Sequence, residues 1–166
     1  AITATCVAPS KTFNVAGLHT SFVIIPDREL LRRYNRRQRA LSLHMNNFFG
    51  GAAAEACYRH GAAWLDQLLA YLEGNLDYAV DYFARHIPQC KVIRPEGTYL
   101  VWVDCRAVST DPEELKKLMF EEAKVAFNEG SMFGDEGRGF LRINIACPRS
   151  LLEEGLRRFA EAVNRR

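Results

Sequence analysis

The sequence predicts an α/β chain that closes with a smaller α+β lobe. Three observations carry this reading. Two short runs rich in apolar and β-branched residues, at 2–8 and 20–25, flank a loop containing Lys11, as two neighbouring buried strands of a parallel sheet would. Apolar residues then recur at three- and four-residue steps across 62–86, the period of a long amphipathic helix. Past Ile87 and Pro88, short alternating runs and helix caps take over, the pattern of a compact α+β unit. We therefore expect one domain over 1–87, ending in a long bridging helix, and a second over 88–166.

The elements follow in chain order. Pro26 ends the second apolar run, and Asp27 is placed to cap a helix over 28–41 whose inner side carries Leu30, Leu31, Tyr34 and Leu41. Arg32, Arg33, Arg36, Arg37 and Arg39 cover the rest of it and read as a solvated face, not a nucleic-acid surface. Residues 52–59 form a small-residue helix, and Gly61 punctuates. Leu65, Leu68, Leu72, Leu76, Ala79, Val80 and Phe83 define the stripe of the long helix, and Gly74 interrupts it at a cost of about 1 kcal/mol relative to alanine. Residues 91–93 and 98–104 read as strands around a turn at Pro95-Glu96-Gly97. Asp111-Pro112-Glu113-Glu114 opens a helix with cap, first-turn proline and acidic first turn. Residues 125–127 and 140–146 read as strands on either side of a glycine loop at 130–139. Ser150 and Glu153 have the spacing of a capping box for a last helix with Leu152, Leu156, Phe159, Ala160 and Val163 inward.

Composition narrows the function. The 166 residues are 48% hydrophobic and 25% charged with a net charge of +2, an ordinary globular balance without the field that nucleic acid or an anionic membrane would select. No apolar run approaches the ~20 residues of a spanning helix. The five cysteines are widely spaced and odd in number, which favours free thiols and a reducing, cytoplasmic setting. The four histidines show no metal-ligand spacing. The glycine loop is not a dinucleotide fingerprint, because a strand follows it instead of a helix.

Two residues carry chemistry. A lysine amine at its reference pKa of about 10.4 is a poor nucleophile at neutral pH, whereas apolar surroundings at a strand end favour the free amine. Lys11 lies between the apolar, β-branched run 2–7 and a Gly-containing apolar turn, and a free amine condenses with an aldehyde. Arg142 lies inside an alternating apolar strand, where a guanidinium requires a partner. Its planar fork suits a carboxylate held by two hydrogen bonds, from a ligand or from an internal Asp or Glu.

Ser10-Lys11-Thr12-Phe13-Asn14-Val15-Ala16-Gly17-Leu18 resembles the cofactor-lysine segment of fold-type I pyridoxal-phosphate enzymes of the aminotransferase class I/II superfamily. Gly139-Phe-Leu-Arg-Ile-Asn-Ile-Ala-Cys-Pro-Arg149 resembles their substrate-carboxylate segment, and the likeness is nearest to the MalY/PatB-like cystathionine β-lyase branch. The resemblance implies a carboxy-terminal portion of such an enzyme: the end of the cofactor-binding large domain, an interdomain helix and the small domain. It implies pyridoxal 5'-phosphate as cofactor and Lys11 as its Schiff-base lysine. Ser10 and His19 become phosphate donors, Arg142 the grip on the α-carboxylate, and Tyr99, after Gly97-Thr98, a residue facing the substrate cleft. The family often carries Ser or Thr where this chain has Ala8, and Arg where it has His19. Thr12 and Asn14 read as turn-formers and Arg149 as structural. The implied reaction is β-elimination from cystathionine or cysteine conjugates by a homodimer, with transamination as the alternative; the isolated portion is expected to turn over little. A non-catalytic interaction domain, marked by an ion-paired Lys11 and an exposed apolar patch for a partner, and an amino-acid-binding module using Arg142 are the readings from other classes.

Overall fold

The computed structural model describes residues 2–45 and 47–166. The chain forms two compact units, Ala1–Leu68 and Leu69–Arg166. The division falls inside the long helix; the sequence expectation set a domain boundary later, near Ile87 and Pro88.

In the first unit, strands β1 (Thr5–Val7) and β2 (Phe22–Ile24) pair with Thr5 opposite Ile24 and Val7 opposite Phe22. The pairing is antiparallel, not parallel as expected. Residues between the strands fold into tight turns instead of a crossover helix, so the chain returns beside itself in the opposite direction. Nor are these strands buried: Val7, Phe22 and Ile24 are all exposed, since the described residues lay no second layer over them.

Helix α1 (Arg28–Ala40) starts where predicted, with Asp27 accepting the Leu30 N–H at 2.7 Å. Leu30 and Tyr34 are half-buried, but Leu31 and Leu41 are exposed. Helix α2 (Phe48–His60) begins four residues earlier than the small-residue run suggested. Gly50 explains its close seat: a Cβ there would lie 1.9 Å from Thr20 Oγ1 and 2.9 Å from the Leu18 carbonyl. Asn47 Nδ2 donates to that same carbonyl at 2.7 Å. Phe13, from the lysine loop, meets Tyr58 edge-on at 5.9 Å and Trp64 at 6.2 Å between ring centres.

Helix α3 (Ala62–His86) has the predicted stripe, with Leu76, Ala79 and Phe83 buried. The second unit is a four-stranded antiparallel sheet in the order β3-β4-β6-β5: β3 (Lys91–Ile93), β4 (Leu100–Asp104), β5 (Asn128–Glu129) and β6 (Phe140–Asn144). Its inner face presents Val101, Val103, Leu141 and Ile143 to Phe83, Leu115, Met119, Leu156 and Phe159. Helix α4 (Pro112–Lys117) is capped by Asp111, which accepts the Glu113 N–H at 2.9 Å, and continues as a π-helical turn over Leu118–Ala123.

Two local expectations shift. The strand placed at 125–127 forms at Asn128–Glu129, because Val125 N–H closes the π turn onto the Met119 carbonyl and Lys124 takes a left-handed φ of 55°. Helix α5 (Arg149–Val163) is not capped by Ser150. Pro148, whose ring fixes φ near the helical value, supplies the carbonyl for the Leu151 and Leu152 N–H groups, and the Tyr71 hydroxyl accepts the Arg149 N–H at 2.7 Å. Its predicted inner face is buried. Among the described residues, no helix is long and apolar enough to cross a membrane.

Asn75 ties helix α3 to the end of β6. It is fully buried, donates to the carbonyls of Ile145 and Cys147 at 2.8 and 3.0 Å, and accepts from Arg149 Nε at 2.8 Å. Asn75→Ala orphans these groups and is expected to lower unfolding free energy by about 1–3 kcal/mol, read as a fall in the urea midpoint.

Candidate functional site

The lysine loop leaves β1 and turns at once. Phe13 N–H donates to the Pro9 carbonyl at 2.9 Å and Val15 N–H to the Ser10 carbonyl at 3.1 Å. Asn14 takes φ of 55°, a left-handed conformation that asparagine tolerates better than most residues. Lys11 stands in the middle of this turn and is exposed; the described residues do not enclose it in the apolar setting the sequence suggested. Among the described residues it joins no ion pair, so the first of the two marks of a non-catalytic domain is not seen. Ser10 beside it is half-buried, and its hydroxyl has no side-chain hydrogen bond among the described residues. His19 is exposed, with φ of 49°, at the end of the short 3-10 turn Ala16–Leu18. An uncommitted amine next to an uncommitted hydroxyl fits a group that carries both an aldehyde and a phosphate.

A second candidate group stands on the sheet of the carboxy-terminal unit. In β6, Leu141 and Ile143 point into the core, which turns Arg142 to the outer face. There it stands between Trp102 of β4 and Asn128 of β5 in register. Arg142 Nε and Nη2 both donate to Asn128 Oδ1, at 3.2 and 2.9 Å. The guanidinium carbon lies 4.3 Å from the centre of the Phe133 ring, a cation–π distance. Among the described residues no carboxylate lies within 4.0 Å of Arg142, so the internal ion pair that was its other reading does not form. Both Nη1 hydrogens remain free for an incoming acceptor.

Phe133 reaches Arg142 from the glycine loop, which folds as two 3-10 turns, Gly130–Phe133 and Asp135–Gly137. Glu129, buried, anchors the first turn by accepting from Ser131 N–H and its hydroxyl. The turns abut so closely that a Cβ on Gly130 would sit 2.1 Å from the Gly137 carbonyl oxygen, and one on Gly137 2.1 Å from that of Gly130. Phe133, Trp102, Phe140 and Ile93 line a recess of about 300 Å³ on this face. Tyr99 packs against the core cluster, on the other side of the sheet from Arg142. Arg149 is committed to Asn75 and stacks 4.8 Å from the Tyr78 ring centre. Asn128 and Phe133 were not singled out from sequence; their one signal is that they border a buried-strand arginine in a loop and strand whose pairing was unknown.

The model of the family described as "Aminotransferase class I and II" matches residues 2–159. The chain belongs to the aminotransferase class I and II family. As a member of that family it is 38% identical over 163 residues to cystathionine beta-lyase PatB of Bacillus subtilis (strain 168), covering 98% of this chain and 42% of PatB. It is 36% identical over 155 residues to the protein MalY of Escherichia coli (strain K12), covering 93% and 40%. Among solved structures it is similar to cystalysin from Treponema denticola, which contains pyridoxal 5'-phosphate, with a TM-score of 0.93, 37% identity, and coverage of 98% of this chain and 41% of cystalysin. This family member thus spans about two fifths of the length of the curated relatives it matches. The likeness supports a mixed helix-and-sheet fold of the aminotransferase type.

Proposed function

We propose that this chain is the lysine- and arginine-bearing part of a pyridoxal-phosphate-dependent carbon–sulfur β-lyase acting on cystathionine or related cysteine conjugates. The observation that carries the reading is Arg142: a guanidinium oriented by Asn128 and Phe133, with no carboxylate partner among the described residues. The relatives named for cystathionine β-lyase activity support the substrate class.

Pyridoxal phosphate, when bound, supplies the electron sink that makes the α-proton of an amino acid labile. Lys11 would hold the cofactor through its Nζ, and Ser10 and His19 would donate to the phosphate. The freed Nζ of Lys11 would take the α-proton as general base. Arg142 binds the α-carboxylate with two parallel hydrogen bonds and so fixes the α-carbon before proton removal. Loss of the β-thiol, followed by hydrolysis, yields thiol, pyruvate and ammonia. Tyr99, on the core side of the sheet, acts as support for β4 and not as the substrate contact the sequence suggested. We take the whole protein to be a cytoplasmic homodimer; the exposed Leu43, Met45, Phe48 and Phe49 are the kind of apolar surface a subunit face covers.

The test is product analysis of the full-length protein with L-cystathionine. Stoichiometric thiol and pyruvate are expected without any added oxo acid. Consumption of the amino acid only when an oxo-acid acceptor is present would replace this reading by transamination. Arg142→Gln is expected to cut kcat/KM roughly 10–100-fold, the loss of about 1.5–3 kcal/mol from a charged hydrogen bond, and Arg142→Lys to restore part of it because lysine keeps the charge but not the fork. Cofactor absorbance should not change in either variant.

A further inference from the structure

We propose that Cys90 and Cys105 are an oxidative modification site, two buried thiols that a peroxide converts into one intramolecular disulfide. The sheet places them together. Lys91 pairs with Asp104 and Val92 with Val103, so the next step of the same antiparallel register sets Cys90 opposite Cys105. Cys105 N–H donates to the Gly139 carbonyl at 2.8 Å, on the β6 side, and Cys90 N–H donates to Ile87 at 2.9 Å. Neither amide is therefore directed across the β3–β4 gap, and the two residues form a non-hydrogen-bonded pair. Such pairs bring Cα atoms to about 4.5 Å, inside the roughly 4.4–6.8 Å range of natural disulfides. Both side chains are buried on the core face, in step with Val92 on one strand and Val101 and Val103 on the other.

The chemistry is asymmetric. The neighbouring Cys105 thiol holds the pKa of Cys90 below its ordinary value, against burial, whereas the same interaction and burial push Cys105 up. Cys90 also precedes the edge strand β3, the side from which a small oxidant arrives. Its sulfur attacks the peroxide O–O bond, giving a sulfenic acid, and the departing hydroxide takes the proton that the Cys90 thiol gave up and leaves as one water. The Cys105 sulfur then attacks the Cys90 sulfur: the S–S bond forms, the S–O bond breaks, and a second water leaves with the remaining thiol proton. Two thiols are oxidised and one peroxide is reduced to two waters. Cys6, Cys57 and Cys147 stand outside this register.

The test treats the full-length protein with hydrogen peroxide, alkylates remaining thiols in denaturant and digests with trypsin without reductant. Cys90 and Cys105 fall in separate peptides, 86–91 and 92–106. The expected result is a linked pair of these peptides, two hydrogens lighter than their sum. It should be reversed by dithiothreitol, retained in a C6S/C57S/C147S protein and lost in both Cys90→Ala and Cys105→Ala. Recovery of both peptides singly alkylated, after peroxide has oxidised other thiols of the native wild-type protein, overturns the proposal. So does a linkage of either peptide to Cys6, Cys57 or Cys147 in place of the pair. The wild-type digest decides the matter without depending on whether a variant folds.

Discussion

Lys11→Ala in the full-length protein is expected to abolish the visible absorbance of lysine-bound cofactor and to lower turnover of cystathionine by roughly 10²–10⁴-fold or more, the range over which a positioned general base contributes. Among the described residues the Lys11 side chain has no structural commitment. It is exposed within a turn that is closed by backbone hydrogen bonds from Phe13 and Val15, not by its own amine. Removing the side chain therefore leaves the fold intact, and the melting temperature of the apoprotein should stay within about a degree of wild type, as for an uncoupled surface substitution. Spectroscopy, turnover and melting together separate the readings. A variant that keeps its activity defeats the enzyme proposal, and one that loses activity together with its fold defeats the claim that Lys11 is structurally idle.

Phe159→Ala is expected to remove about 3–5 kcal/mol of stability, the usual cost of deleting a buried phenylalanine side chain. Phe159 is fully buried in helix α5, with its ring 6.2 Å from that of Phe83 and meeting Phe127 nearly edge-on at 5.6 Å. It is thus the point where α3, α5 and the segment before β5 share one contact. Domains hold about 5–15 kcal/mol in total, so this single truncation takes about a fifth or more. The measurement is a urea titration: a midpoint displaced by less than 1 kcal/mol-equivalent would show that the aromatic cluster collapses into the vacated space.

Much of the helical structure was legible because its signals are local. The α3 and α5 stripes follow from the 3.6-residue period, and the Asp27 and Asp111 caps bond to backbone two or three residues away. What was not legible depends on pairing between distant segments. The orientation of β1 against β2 turns on whether the lysine loop folds as turns or as a crossover. The partners of Arg142 turn on which strand lies beside β6, and only that register brings Asn128 and Phe133 to the guanidinium. The start of α5 was misplaced because a capping box and a leading proline compete within two residues, and Tyr71, far off in sequence, favours the proline. Lys11 itself was found through motif likeness; its surroundings were not, since its exposure depends on what the described residues leave uncovered.

The abutment of Gly130 on Gly137 has a consequence for how this protein can diverge. The perch of the aromatic ring beside the guanidinium is braced main chain against main chain, so the outward side chains at Met132 and Glu136 are free to change without shifting it. A single methyl on either glycine would pry the brace open. Change in this loop, natural or directed, is thereby channelled into its side-chain decoration and away from its length or course.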